Sequence, residues 1–471
     1  MAIAAGTLWS VAFVVVGLHY DLQTYADGSL FSYAVAAQDA WAFHWHNISS
    51  RLFVYLYAYM PSEAYVRLSQ DAPGGVVLYG FLFFVAPLLG LIATYAADRS
   101  KDRTIFAFAC GSTASLCPLV FGFPTEVWIS HATFWPALAL CHYAGDGFSR
   151  ALLVFLALLA LVLTHAGAVL FAIAIVITLA PRGIRNPAFL RTVGIFFLVM
   201  ALWSGIKHEL PPEDYMAKIL LNAAFHVFDI SFLNCSLAVL ILVALASYAT
   251  ASFIFHAPDG NRSEVERSHI YAALIVIVGL VAYWHWWDHA LHADHRYYMR
   301  TALLVATPIL GVLAIAATSA AEPELALPPP FLRPMAMIAR EATARFVIGA
   351  LVVVTLIHLV ETGRFVAGWT NYTGAVRKLA LGTASDPKLG AEGLVSSFRI
   401  SDELNRLSWF STTPYLSVLV TPNFAPKRLV VDPTSGFFWL SCKTAKANVK
   451  AERAMPVETR QLIQREACLH R

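Results

Sequence analysis

The chain has 471 residues, of which 58% are hydrophobic and 13% charged, with a net charge of +3 and a mean hydropathy of +0.62. Those values describe a polytopic membrane protein rather than a soluble fold. They also exclude a nucleic-acid binder, because the charge is small and no basic tract with stacking aromatics is present.

Apolar blocks recur at 2–19, 75–96, 104–122, 128–143, 151–180, 192–205, 235–256, 270–287, 301–321 and 346–360. Most can cross the roughly 30 Å hydrocarbon layer as helices of about 20 residues. The first block has no basic segment before it and no small-residue cleavage site after it, so it is predicted to be a retained helix rather than a leader. Block 151–180 is too long for one untilted span, and it is interrupted by Thr164-His165-Ala166-Gly167. If the chain turns there, one side collects Arg99, Lys101, Arg103, Arg150, Arg182, Arg185, Arg191, Arg262, Arg267, Arg333, Arg340 and Arg345. The other collects Arg51, Arg67, Lys207, Lys218, Arg296 and Arg300, a split of 12 against 6. A single crossing would leave 8 against 10, so the positive-inside rule favours the turn. The prediction is an all-α protein of about eleven membrane segments, with a transmembrane domain over 1–365 and the N-terminus cytoplasmic. A broken helix is tolerated only inside protein or beside a wet cavity, so the His165 break predicts an internal site near the outer surface.

Two outer loops stand out, 20–74 and 207–233. Within the first, 51–68 alternates aromatic and polar residues at helical spacing, and it reads as a helix lying on the interface. The second begins Pro211-Pro212 and continues with Met216, Ile219, Leu220, Ala223, Val227 and Phe228 on one face. Residues 366–471 differ in kind, since 15 of the 33 Lys and Arg lie from Arg364 onward. Strand-like runs at 415–420, 428–431 and 437–440 predict a small extracytoplasmic α/β domain. Cys442 and Cys468 are the only cysteines outside the apolar blocks, and an oxidising compartment would join them in a disulfide. Cys110, Cys117, Cys141 and Cys235 read as packing residues. No internal repeat, Walker, dinucleotide-binding or nucleophile-elbow pattern is present.

Three acids are singled out by position. Asp27 follows the first helix in Tyr25-Ala26-Asp27-Gly28-Ser29, Glu126 occupies a short outer turn, and Asp39 precedes an aromatic run; Asp21 is a weaker fourth. A carboxylate at membrane level is a site hypothesis by default, and partial burial suits it to general-base work. The plainer explanation is that outer loops hold acids because they face water. Arg51, Arg296 and Arg300, the last two flanking Tyr297, match a phosphate at the lipid surface. The plainer explanation for each is snorkelling to headgroups. His285, His289 and His292 fall at i, i+4 and i+7, a helical face that suits zinc, with Asp288 or Asp294 beside it. An interfacial Trp/His belt explains the same residues.

Together these features resemble the GT-C superfamily of polytopic glycosyltransferases, across the membrane part only. The residues that carry the resemblance are Asp27-Gly28 after the first helix, the interfacial stretch 51–68, Glu126 in the next outer turn, the His165 break and Arg296-Tyr297-Tyr298 before a late span. The chain departs from the family in having no adjacent pair of acids in the first loop. The resemblance implies a transferase of the bacterial plasma membrane that moves a sugar from a polyprenyl-phosphate donor to a lipid or glycan acceptor at the outer face. In that implied scheme Asp27 is the base, Glu126 orients the acceptor or binds an optional divalent cation, Arg51, Arg296 and Arg300 hold the donor phosphate, and His165 and Tyr297 line the cavity. The rival expectations are a non-catalytic transporter or flippase and an assembly subunit. Carriers with alternating access usually show internal repeats and polar groups near mid-membrane, whereas here the polar residues gather at the outer edge.

Overall fold

The computed structural model describes residues 2–41, 51–116, 126–209, 236–255, 262–286, 299–321, 344–382, 393–409, 412–433, 442–450 and 454–469. Every apolar block that falls in these ranges is helical. In hydrocarbon a backbone has no water to bond, so an apolar run closes its own N–H and C=O groups. The elements in chain order are α1 (Ala2–His19), α2 (Asp27–Ala36), α3 (Met60–Ser69), α4 (Ala72–Ala97), α5 (Thr104–Leu116), α6 (Glu126–Tyr143), α7 (Phe148–Val162) and α8 (Ala168–Leu179). Then follow α9 (Pro187–Glu209), α10 (Ser236–Ile254), α11 (Arg262–Trp286), α12 (Met299–Ala321) and α13 (Ala344–Leu381). Helices α1, α4, α9, α11 and α13 contain stretches long and apolar enough to cross a membrane; α7, α8, α10 and α12 contain shorter apolar stretches.

Helix α1 packs between α4 and α5, and α4 lies along α6. Glycines permit this closeness: a Cβ at Gly6 would press on the Cys110 backbone, and one at Gly90 on the Ala132 backbone. Small residues at such crossings are the usual route to tight helix pairs in lipid. Above them Phe13, Phe84 and Trp128 form a fully buried aromatic node, with the Phe13 ring edge-on to Trp128 at 4.6 Å. Cys110 and Cys141 are buried free thiols, as packing residues should be; Cys117 and Cys235 lie outside the described residues.

One buried polar node crosses the bundle. His131 Nδ1 lies 2.9 Å from Thr307 Oγ1, whose own hydrogen is donated to the Leu303 carbonyl at 2.7 Å. The ring hydrogen is therefore on Nδ1, and Nε2 accepts from the Thr113 hydroxyl at 3.4 Å, since the Ser112 hydroxyl donates to the Ala109 carbonyl at 2.9 Å. This ties α5, α6 and α12 together with partners at both ring nitrogens.

The expected interruption near His165 separates α7 from α8. Its freed backbone groups are satisfied locally and from afar. Thr164 donates to the Ala160 carbonyl, Ala168 N–H donates to the His165 carbonyl, and Gly167 N–H donates to His165 Nδ1. The Leu163 carbonyl accepts from Phe53 N–H at 3.1 Å, which joins the break to the loop between α1 and α4.

Residues 52–69 of that loop are helical throughout. A turn at Leu52–Val54 and a π-helical turn at Tyr55–Tyr59 lead into α3. Helix α13 has 38 residues, about 57 Å at 1.5 Å per residue, roughly twice the hydrocarbon thickness. It runs unbroken across position 366, where a change of compartment is expected. Its far half carries Trp369, whose indole donates to the Tyr20 carbonyl at 3.1 Å, and Tyr25 packs edge-on against Phe365 and Trp369.

Beyond it, β1 (Leu394–Ser396) pairs in parallel with β2 (Leu429–Val431), in the register Leu394↔Leu429. The run at 428–431 is therefore a strand, but 415–420 is not. It forms α14 (Thr413–Leu419), with Pro414 in the first turn, where a missing N–H costs nothing. Thr413 to Val418 are all buried, so the run carries no polar alternation and its apolar character alone cannot separate strand from helix. The run at 437–440 lies outside the described residues. Two further helices follow, α15 (Cys442–Lys450) and α16 (Val457–Leu469), and Cys442 is disulfide-bonded to Cys468.

Candidate functional site

Asp27 opens α2 and is half-buried. The residue before it, Ala26, has φ 51° and ψ −130°, a conformation costly for any side chain bearing a Cβ. Three donors surround the Ala26 carbonyl and hold it: Ser29 N–H at 3.0 Å, Ser29 Oγ at 2.9 Å and Thr412 Oγ1 at 3.0 Å. Thr412 immediately precedes α14, so the C-terminal part of the chain fixes the backbone beside Asp27. The contact is broad, since α14 packs along α2 and the Tyr33 and Tyr415 rings meet at 5.0 Å.

Arg51 and Glu126 form an ion pair, Nη1 to Oε1 at 2.6 Å, with side chains only 14% and 4% exposed. Burial strengthens the attraction but also removes both charges from water, so loss of either partner would strand the other. Arg51 ends the stretch that leads into residues 52–69, and Glu126 is the first residue of α6. Residues 75 positions apart thus meet, two residues from the Phe53–Leu163 bond that holds the helix break.

Two tyrosines connect this pair to Asp27. The Tyr59 and Tyr79 hydroxyls lie 3.5 Å apart. Tyr79 is within electrostatic reach of Asp27, Glu126 and Arg51 together. Burial holds the Tyr59 phenol well above its ordinary pKa, reinforced by Tyr79 and by the Glu126 charge and opposed by Arg51. The outcome is one group of an acid, an ion pair and two neutral phenols toward the N-terminal ends of α2, α4 and α6.

Two further acids of the first loop serve differently. Glu63 is buried, accepts from Ala40 N–H at 2.7 Å and lies 3.5 Å from the Tyr55 hydroxyl. The buried Tyr33 phenol has its pKa raised mainly by burial, with Arg460 of α16 opposing the shift and Asp39 adding to it. Asp21 follows α1 and caps the short turn Leu22–Thr24. Sequence reasoning missed Glu63, Tyr59 and Tyr79. Tyr55, Tyr59 and Glu63 fall at i, i+4 and i+8 on one helical face, which is the signal that was available.

His165 is half-buried, with Nδ1 bonded to Gly167 N–H. His285 ends α11, exposed, with its ring 5.4 Å from Trp286. His289, His292, Arg296 and Tyr297 lie outside the described residues, and Arg300 is in the first turn of α12. Among the described residues no three His, Cys, Asp or Glu cluster as metal ligands. No protein-family model matches the chain, and neither does any curated protein.

Proposed function

We propose that the chain is a GT-C-like integral-membrane glycosyltransferase, with eleven spans, a cytoplasmic N-terminus and its site at the outer face. The observation that carries this reading is the convergence of Asp27, Arg51 and Glu126, from three separate outer segments, around Tyr59 and Tyr79. Positioned groups must reach one reacting centre, and their common reach of Tyr79, near the helix break bound by Phe53, supports the reading.

In this reading the acceptor hydroxyl gives its proton to the Asp27 carboxylate as its oxygen bonds to the anomeric carbon. The bond from that carbon to the phosphate oxygen breaks, and the polyprenyl phosphate leaves with the electron pair. Arg51 meets the developing phosphate charge while Glu126 keeps the guanidinium in place, a preorganised arrangement that needs little movement during the reaction. Arg296 and Arg300 are proposed as further phosphate donors, and residues 366–471 as an extracytoplasmic cap over the acceptor side.

The test is transfer from polyprenyl-phosphate sugars by the purified full chain, alongside a comparison of lipid-linked glycans in deletion and wild-type cells. Transfer that disappears in Asp27→Asn supports the reading. No difference in glycans, together with no transfer, returns the chain to the carrier or assembly-subunit class.

A further inference from the structure

A cavity of about 600 Å³ opens between the residues after α1, the start of α4, the far half of α13 and the turn after α14. The volume lies within the roughly 300–1,000 Å³ of small-molecule sites. Two opposite charges line it, Asp21 and Arg377, and neither makes an ion pair with any described residue. We infer that this cavity binds a dipolar ligand, a phosphoethanolamine unit, whose primary ammonium meets Asp21 and whose phosphate meets Arg377.

Solvent reaches both residues, so a ligand can as well. Protein nevertheless surrounds Asp21: burial raises its pKa above the usual carboxylate value, opposed by the Gln23 amide and by His19. A carboxylate deprived of part of its water gains from a cation brought to it. Its Oδ1 accepts from the Gln23 amide at 3.2 Å, which leaves Oδ2 for the ligand. Arg377 stands away from it. The Trp369 indole is bonded to the Tyr20 carbonyl beside Asp21, and Arg377 comes eight residues later on α13, about 12 Å along the helix. A ligand that serves both charges must therefore span them. The two charges of an α-amino acid sit on one carbon, whereas an ammonium and a phosphate joined through two carbons reach farther.

The rest of the polar wall suits the two poles. The Thr24, Thr370, Thr373 and Thr421 hydroxyls each donate to a backbone carbonyl at 2.6–3.0 Å, so toward the cavity they accept. Acceptors favour a primary ammonium, with its three N–H groups, over a quaternary one, which has none. Arg377, Asn423 and the Tyr20 hydroxyl remain as donors for phosphate oxygens. A lone phosphate is opposed by Asp21 and a lone amine by Arg377. The unit has two sources, a soluble ester or a lipid headgroup, since the first turns of α4 also line the cavity. The inference does not require the transfer reaction.

Two arms test it on the full chain. Saturation-transfer NMR in a maltoside detergent, with glycerophosphoethanolamine as the probe, reads the soluble source. Native mass spectrometry after extraction from vesicles of equal dioleoylphosphatidylethanolamine and dioleoylphosphatidylcholine reads the lipid source. Saturable binding of the probe, or retention of the ethanolamine lipid over the choline lipid, is expected in at least one arm. Asp21→Asn and Arg377→Gln should each weaken that binding about 10-fold, the worth of one charge-assisted hydrogen bond. Arg377→Lys keeps the charge and should keep most of the binding. Gly374→Trp should abolish it: a Cβ there meets nothing within 4 Å, so the indole can enter the cavity without displacing a neighbour. No binding in either arm overturns the inference. So does binding that both charge-removing variants leave unchanged, or displacement of the probe by inorganic phosphate, ethanolamine or glycerophosphocholine as readily as by itself.

Discussion

Two polar groups of the bundle are opposite in character. Between α5, α6 and α12, His131 has hydroxyl partners on both ring nitrogens and, among the described residues, no ionic partner. At the N-terminal ends of α2 and α6, Arg51 and Glu126 are a nearly buried ion pair, and Asp27 follows a backbone angle that Ala26 would not adopt unaided. The first group is what packing alone requires of a polar side chain in lipid, namely complete pairing. The second is expensive in every part: two desolvated charges, a half-buried acid and a strained residue clamped by a threonine nearly 400 positions away. Cost that packing does not need is the physical mark of a site, and it separates these groups better than polarity does.

The comparison breaks entirely if the Asp27 group does not face outward. Labelling with a membrane-impermeant thiol reagent should reach a cysteine placed at Ser435 and miss one placed at Arg185. The reverse pattern would move the Asp27 group to the cytoplasmic side and end the lipid-linked-donor reading. Given that orientation, Asp27→Asn keeps the shape of the side chain but removes proton acceptance, and turnover should fall about 10²-fold or more. His131→Leu should leave turnover within a few fold, while the loss of its interhelical bonds destabilises by about 1 kcal/mol. Equal activity losses in the two variants would erase the distinction between site and glue.

Several parts of this arrangement were legible in the amino-acid sequence. The apolar blocks could only be helices, since lipid leaves a backbone no other partner. The break at Thr164-His165-Ala166-Gly167 showed itself as a polar step that charge counting required. Asp27, Arg51 and Glu126 were each visible as charges close to apolar blocks, but their meeting was not, because no local rule pairs residues 51 and 126. Ala26 gives no sign of its positive φ; an Asn or Gly would have. The run at 415–420 misled because burial on all sides hides the period that tells strand from helix.

The C-terminal part of the chain, which fixes Ala26 through Thr412, offers two smaller perturbations. The Cys442–Cys468 bridge closes a sequence separation of 26, worth about 3 kcal/mol in the chain-entropy model. Reduction, or serine at both positions, should lower the unfolding midpoint of α15 and α16 while leaving the membrane helices in place. Limited proteolysis with mass mapping would show cuts confined to the region beyond β2. Cuts spread through the bundle would instead make the bridge essential to the whole fold.

The finest test is Thr412→Val, which keeps the branched shape and removes one donor from the Ala26 carbonyl. Two donors from Ser29 remain, so the fold should survive, with a loss of about 1 kcal/mol. If the strained angle at Ala26 serves to aim Asp27, turnover should fall about 10-fold with little change in apparent substrate affinity, because a misaligned base loses transition-state stabilisation rather than uniform binding. Thr412→Ser retains the hydroxyl and should restore most of the rate. If valine and serine behave alike, the clamp is packing, and Ala26 belongs with His131 on the structural side of the comparison.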